Sequence, residues 1–244
     1  MTEQNEVKQD GQKTEQSDQM KVTALYASLE HSVASPLLKK FQYPWEALPF
    51  IAAFIAELGA SLPPEEYDRI GENVWIAKSA KVASTASVNG PCIICGEAEV
   101  RHCALIRGSA IVGRGAVVGN STELKNCILF DGVQVPHYNY VGDSVLGYKA
   151  HMGAGAVTSN VKSDKSLVVV HCGEENLETE RKKVGAMLGD FVDVGCNSVL
   201  NPGTVIGPHT NVYPLSCVRG FVPAESIYKA RGSIVRKRET AADS

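Results

Sequence analysis

The sequence predicts an all-β solenoid of stacked triangular coils behind a small helical segment, and three observations predict it. An aliphatic residue recurs every six positions from Ile70 through Ile76, Val82, Val88, Ile94, Val100, Ile106, Val112 and Val118 to Leu124. Four residues after each stands a small or short side chain: Val74, Ala80, Ala86, Cys92, Ala98, Ala104, Ala110, Ala116 and Thr122. The same phase returns at Leu188, Val194, Leu200, Ile206, Val212 and Val218, with Val192, Ser198, Thr204, Thr210 and Ser216 in the short position. Neither a 3.6-residue helix nor a free two-residue alternation imposes this double constraint. It suits a chain in which each hexad forms one side of a triangle. The aliphatic residue fills the interior, and the short one points inward near a corner. Coils roughly 4.8 Å apart then pair their backbone groups with the coils above and below.

The elements follow in order. Residues 1–19 hold only Met1 and Val7 as clear apolar residues, among five Gln and five acidic side chains. Such a stretch buries too little to offset its ordering entropy and reads as a disordered polar tail. Residues 20–67 read as a helical segment and linker. Leu25, Tyr26, Leu29 and Val33 fit one helical face, which Ser35-Pro36 interrupts. Phe50, Ile51, Phe54, Ile55 and Leu58 form a second stripe, with Pro49 in the first turn and Gly59 just past the end. Trp45 and the phenylalanines are packing groups that dock these helices on the larger domain. That domain spans 68–223 and is interrupted by an inserted loop, 163–183, with a short strand at Leu167–Val170. The phase ends at Pro223, and 224–244 reads as a basic C-terminal tail.

Composition excludes several classes. A net charge of -3 over 244 residues argues against a nucleic-acid binder, which needs a concentrated basic surface. No apolar run approaches a membrane span and no apolar signal region opens the chain, so a cytoplasmic protein without a membrane partner is expected. Seven cysteines lack disulfide spacing, and Cys92, Cys95, Cys103 and Cys127 fall in the array as small packing residues.

Three hexads make an eighteen-residue coil, which gives each residue an address. Arg107 and Lys125 are eighteen apart and stack outward on adjacent coils. Their mutual repulsion would be relieved by an anion between them, a phosphate or diphosphate being the natural occupant. The rhythm slips to five between Leu124 and Leu129 and again between Val141 and Leu146. Between the slips lies PHYNYVGD, where His137 takes an outward position and Tyr140 follows at the next corner. An outward histidine on a rigid wall near a basic pair suits a general base.

The array resembles the left-handed parallel β-helix of hexapeptide-repeat acyltransferases. The runs VGN-x3-LK-N, H-x2-Y-VGD and GAG-x4-N, within roughly Gly90 to Lys229, resemble the acetyltransferase domain of bacterial bifunctional UDP-N-acetylglucosamine pyrophosphorylase/glucosamine-1-phosphate N-acetyltransferases. No G-x-G-T-R phosphate loop opens these 244 residues, so a pyrophosphorylase activity is not expected of them. The resemblance implies acetyl-CoA-dependent N-acetylation of an amino-sugar 1-phosphate. His137 would be the catalytic base. Arg107, Lys125 and Lys183 would bind phosphate, and Tyr140 and His151 would orient the sugar. Ala154, Asn160, Cys196 and Lys229 would contact acetyl-CoA, and a backbone N–H of Gly153-Ala154-Gly155 would receive the oxyanion. His151 stands where the family has asparagine, and Val161 where it has tyrosine. The partners implied are a sugar phosphate or nucleotide sugar and two further copies in a homotrimer, whose neighbour Lys183 could serve in trans. A non-catalytic nucleotide-sugar-binding or trimerisation module related to sugar-phosphate nucleotidyltransferases is the alternative. His102 and His137 share one side, but no His-x4-His pair completes a zinc site of the hexapeptide carbonic anhydrases, so no metal is expected.

Overall fold

In the computed structural model, which describes residues 16–173, 175–230 and 232–238, the hexads wind into the expected left-handed parallel β-helix. Each of its three faces is a stack of short strands. Face 1 runs from Val74–Ala77 to Phe221–Val222, face 2 from Lys81–Val82 to Ser226–Ala230, and face 3 from Ser87–Val88 to Cys217–Val218. Backbone bonds join coil to coil, as from Glu99 N–H to Ala116 C=O at 2.8 Å. The hexad aliphatics from Ile94 to Val222 are each at most 3% exposed, so the interior is one continuous apolar column.

The period slips acquire a geometry. In coils of regular length a face ends and a turn of several residues leads to the next. At Asn126 and Asp143 a single residue in the left-handed region, with φ of 50° and 49°, turns the corner between faces 3 and 1. Strands Glu123–Leu129 and Tyr140–Leu146 therefore run across that corner unbroken and pair along their length.

Five expectations change. Ile70, counted as the first hexad residue, is 67% exposed. It lies in Tyr67–Gly71, which pairs antiparallel with Val74–Ala77 as the chain enters from the helices, so the column starts later. The second helix runs Ile51–Ser61, straight through Gly59. The Trp75 ring packs there, 2.3 Å from where a Cβ would stand, so Gly59 serves close approach and not a stop. Residues 1–15 of the expected tail lie outside the described residues, whereas 16–18 form a helical turn that leads to the fully buried Met20. Part of the basic tail continues the solenoid: Ser226–Ala230 is the last rung of face 2, and Ser233–Arg236 pairs antiparallel with it. The inserted loop carries a hairpin, Val169–Cys172 against Glu175–Glu178, so its strand begins two residues after Leu167. Cys92, Cys95 and Cys127 are buried, and burial pushes the Cys95 and Cys127 thiols up to about 12, as suits inert packing groups. Cys103 is exposed at a corner. No helix among the described residues is long and apolar enough to cross a membrane.

The helices dock through Tyr26, whose ring lies 5.0 Å from Phe130 and whose hydroxyl donates to Val145 C=O at 3.3 Å. Ile51 and Ile55 are fully buried. Asp190 clamps the junction. Its carboxylate accepts the N–H of Ser28 at 3.0 Å and of Tyr148 at 2.8 Å, while its own N–H donates to Leu25 C=O. Burial raises the Asp190 carboxyl above its ordinary value, and those two N–H groups oppose the rise. The folded state thus holds this proton to higher pH than the unfolded chain does. Its contribution to stability is complete below the unfolded value near 4 and is lost as pH rises through the raised folded value. Asp190→Asn is expected to flatten that slope in thermal melts taken from pH 3.5 to 7, relative to the wild-type chain. Asp190→Ala is expected to cost about 1–3 kcal/mol at every pH, because both N–H groups lose their acceptor.

Candidate functional site

Face 3 and its two corners carry most of the chemistry. At the corner between faces 2 and 3, His137 ends strand Gln134–His137 with its side chain exposed. The backbone, not the imidazole, holds this corner. His137 N–H donates to Asn139 Oδ1 at 3.0 Å, and its C=O accepts from Gly155 N–H at 3.0 Å. Asn139, 2% exposed, anchors the turn by donating to Gly153 C=O and Ala156 C=O at 2.8 and 3.0 Å. The imidazole makes no hydrogen bond among the described residues and is free to meet a ligand.

Ala154 lies one rung below His137, and Asn197 N–H donates to Ala154 C=O at 2.8 Å, which stacks Cys196 beneath it. The corner thus presents only short side chains between exposed Tyr138 above and exposed Leu215 below. Lys229, exposed on the last rung of face 2, is in register with Tyr213 near the foot of this line. Of the three N–H groups suggested for an oxyanion, Gly153 donates to Val194 C=O at 2.7 Å and Gly155 to His137 C=O. Ala154 N–H has no partner among the described residues.

The opposite corner, between faces 3 and 1, is polar and closely bonded. The Asp143 carboxylate, 5% exposed, accepts Lys125 Nζ at 3.1 Å to each oxygen, Asn126 Nδ2 at 2.8 Å and Asn160 Nδ2 at 2.6 Å. Asn160 Nδ2 also donates to the Tyr140 hydroxyl at 3.2 Å. Burial, and then the Asp143 charge, raises the Tyr140 hydroxyl above its ordinary value. It stays protonated at neutral pH and, with Asn160 occupying a lone pair, keeps its own hydrogen to donate. Arg107 donates to Glu123 Oε1 at 2.7 Å. The inserted loop returns here: Val184 N–H donates to Asn160 C=O at 3.0 Å, which delivers the exposed Lys183 to this corner.

Arg107 and Lys125 do stack as their spacing predicts, on paired strands. Each also meets a carboxylate that the sequence reading did not name, Glu123 for Arg107 and Asp143 for Lys125. Asn160, which the resemblance gives to acetyl-CoA, stands among the residues it gives to the sugar phosphate. His151 is set apart from both corners. It opens face 2, bonds through Nδ1 to Asp193 Oδ1 at 2.8 Å, and lies one rung below Gln134. That is three residues, about 10 Å, along the face from His137. Asp143 and Asn126 carry no role in the sequence reading. The signal was present, since each five-residue slip brings one of them to the corner. Among the described residues no group of three or more His, Cys, Asp or Glu could hold a metal.

A family model described as the GMPPB C-terminal domain matches residues 88–214. A bifunctional sugar-1-phosphate nucleotidylyltransferase/acetyltransferase of Sulfurisphaera tokodaii is 33% identical over 109 residues, 45% of this chain and 27% of that protein. The bifunctional protein GlmU of Methanococcus maripaludis is 31% identical over 120 residues, 49% of this chain and 29% of that protein. The chain therefore spans less than a third of the length of these two relatives. Among solved structures, the acetyltransferase domain of PglB from Neisseria gonorrhoeae, in complex with acetyl coenzyme A, aligns over 74% of this chain and 76% of its own, at 16% identity and a TM-score of 0.32.

Proposed function

The chain belongs to the family of the GMPPB C-terminal domain, and from that premise we propose that it is an acetyl-CoA-dependent N-acetyltransferase acting on an amino-sugar 1-phosphate. The observation that carries this reading is face 3 itself. An imidazole without a partner among the described residues stands at one corner, a cation-bearing cluster stands at the other, and Tyr140 lies between them. The acetyltransferase activity in the name of the Sulfurisphaera tokodaii relative supports it.

The short side chains of Ala154 and Cys196, stacked on the rungs beneath His137, suit acetyl-CoA, since a long residue there would project into its path. Lys229 at the foot of this line suits its phosphates. Bound there, acetyl-CoA supplies the activated acyl group. His137 accepts a proton from the sugar amine as nitrogen bonds to the acyl carbon, and returns it to the departing sulfur. Ala154 N–H is the group positioned to donate to the developing oxyanion. Lys125, Arg107 and Lys183 meet the sugar's phosphate, and the Tyr140 hydroxyl donates to the sugar.

The alternative, a non-catalytic nucleotide-sugar-binding module, is favoured by one observation: His151 is bonded to Asp193 and does not face Tyr140. The deciding experiment follows free thiol release from acetyl-CoA with a panel of amino-sugar 1-phosphates and the matching nucleotide sugars. Release with one sugar 1-phosphate is expected. Release only with a nucleotide-linked amino sugar would correct the acceptor class, and none with any acceptor would leave the binding module. A homotrimer belongs to the same proposal, because a prism with flat outward faces packs about a threefold axis. Light scattering should then give three times the 26.1 kDa chain mass.

A further inference from the structure

We infer that the groove beneath the inserted hairpin is a second anion site, which takes the diphosphate of a nucleoside diphosphate. The hairpin folds back onto the solenoid at the corner between faces 3 and 1. At Gly220, whose φ is 75°, a Cβ would stand 2.5 Å from His171 C=O, so hairpin and coil touch without a side chain between them. Beside this contact lies a cavity of about 510 Å³, lined by Ser159, Lys162, Ser163, His171, Asn201 and Arg219. A second cavity of about 440 Å³ adjoins it across His171, Asn201 and Arg219. Spaces of this size suit a small organic ligand.

The electrostatics single out an anion. Arg101, Arg107 and Arg114 each meet a glutamate, at 3.1, 2.7 and 2.9 Å. Arg219 meets no carboxylate among the described residues. It donates to His171 Nε2 at 3.0 Å, while His171 Nδ1 lies 2.6 Å from Asn176 Oδ1. A guanidinium only donates, so Nε2 must carry the lone pair and Nδ1 the hydrogen. In this arrangement the imidazole accepts from Arg219, and the guanidinium has no carboxylate partner among the described residues. Lys162 adds a second cation on the groove wall, and the largely exposed Asp164, at 3.7 Å, is the one carboxylate among the described lining residues. Two cations with hydroxyl and amide donors around them match the spread charge of a diphosphate, with an arginine fork able to grip two oxygens. Val161 and Pro202 supply apolar wall for the nucleoside.

The arginine end of the groove is set apart from the acceptor corner, while Ser159 and Val161 of its lining flank Asn160. The pairs Thr158 with Leu200 and Leu200 with Val218 put Arg219 two rungs below Ser159 on the same edge. Lys125 is two rungs above Ser159, so the cations stand about 19 Å apart at about 4.8 Å per rung. Binding here requires no acyl transfer.

The test is calorimetric titration of the full chain with pyrophosphate, UDP and GDP, at low salt and in 0.3 M salt. All three probes should bind, and salt should weaken them. Arg219→Gln, whose amide can still donate to His171 and so keep the hairpin seated, should weaken binding at least tenfold with an unchanged melting temperature in the absence of ligand. Lys162→Gln should weaken it less. Equal affinity in wild type and Arg219→Gln would overturn the assignment, as would no binding of any probe at millimolar concentration. So would binding that Arg107→Gln abolishes while Arg219→Gln retains it, because the ligand would then sit at the acceptor corner.

Discussion

Replacing His137 by alanine is expected to lower kcat for acetyl transfer by about 10²–10⁴-fold, the range of a positioned general base, while the melting temperature stays where it is. The two effects separate because of how the corner is built. His137 contributes its N–H and C=O to the fold, through Asn139 Oδ1 and Gly155 N–H, and alanine keeps both. Its imidazole is exposed and unbonded among the described residues, so its removal opens no cavity. Steady-state rates with the acceptor found in the thiol-release panel, paired with a thermal melt, measure both quantities. A kcat within threefold of wild type would remove His137 from the chemistry. A lowered melting temperature would show instead that the side chain holds the corner.

The backbone of this protein was largely legible in its sequence because the fold rests on a repeat. Each hexad states the same local constraint, an aliphatic residue inward and a short one near the corner, and the rungs stack with little freedom. Ile70 shows the limit of periodicity, since a residue can fall in phase by chance where the chain has not yet entered the coil. Gly59 shows another, because a long-range contact from Trp75 decided its position and local helix signals could not report it. At the candidate site, coil addresses correctly stacked Arg107 on Lys125 but not their partners. Glu123 and Asp143 lie sixteen and eighteen residues from the cations they neutralise, and only the shortened corners bring Asp143 within reach. The hairpin over residues 169–178 was harder still, because a single copy of an insertion carries no period to read.

Asp143 is where the second large effect is expected. Asp143→Ala leaves the Lys125 ammonium without its counterion, and the Asn126 and Asn160 amides without an acceptor. Removing one partner of a buried pair costs about 3–5 kcal/mol, and the partial exposure of Lys125 sets the loss at the lower end of that range. Asp143→Asn is the more informative change. It keeps the shape and one acceptor oxygen but releases Lys125 and loosens Asn160, and through Asn160 the Tyr140 hydroxyl. Its stability loss should be smaller, and its KM for the sugar phosphate should rise about tenfold, roughly the 1.4 kcal/mol of one charge-assisted hydrogen bond. The KM for acetyl-CoA should hold, because Ala154 and Cys196 line the opposite corner. Kinetics of the two variants against both substrates distinguish this outcome from a general loosening of the coil, which would raise both KM values together. They also decide the place of Asn160. A rise confined to the acetyl-CoA KM would return that residue to the cofactor side and show that the polar corner serves the acyl donor.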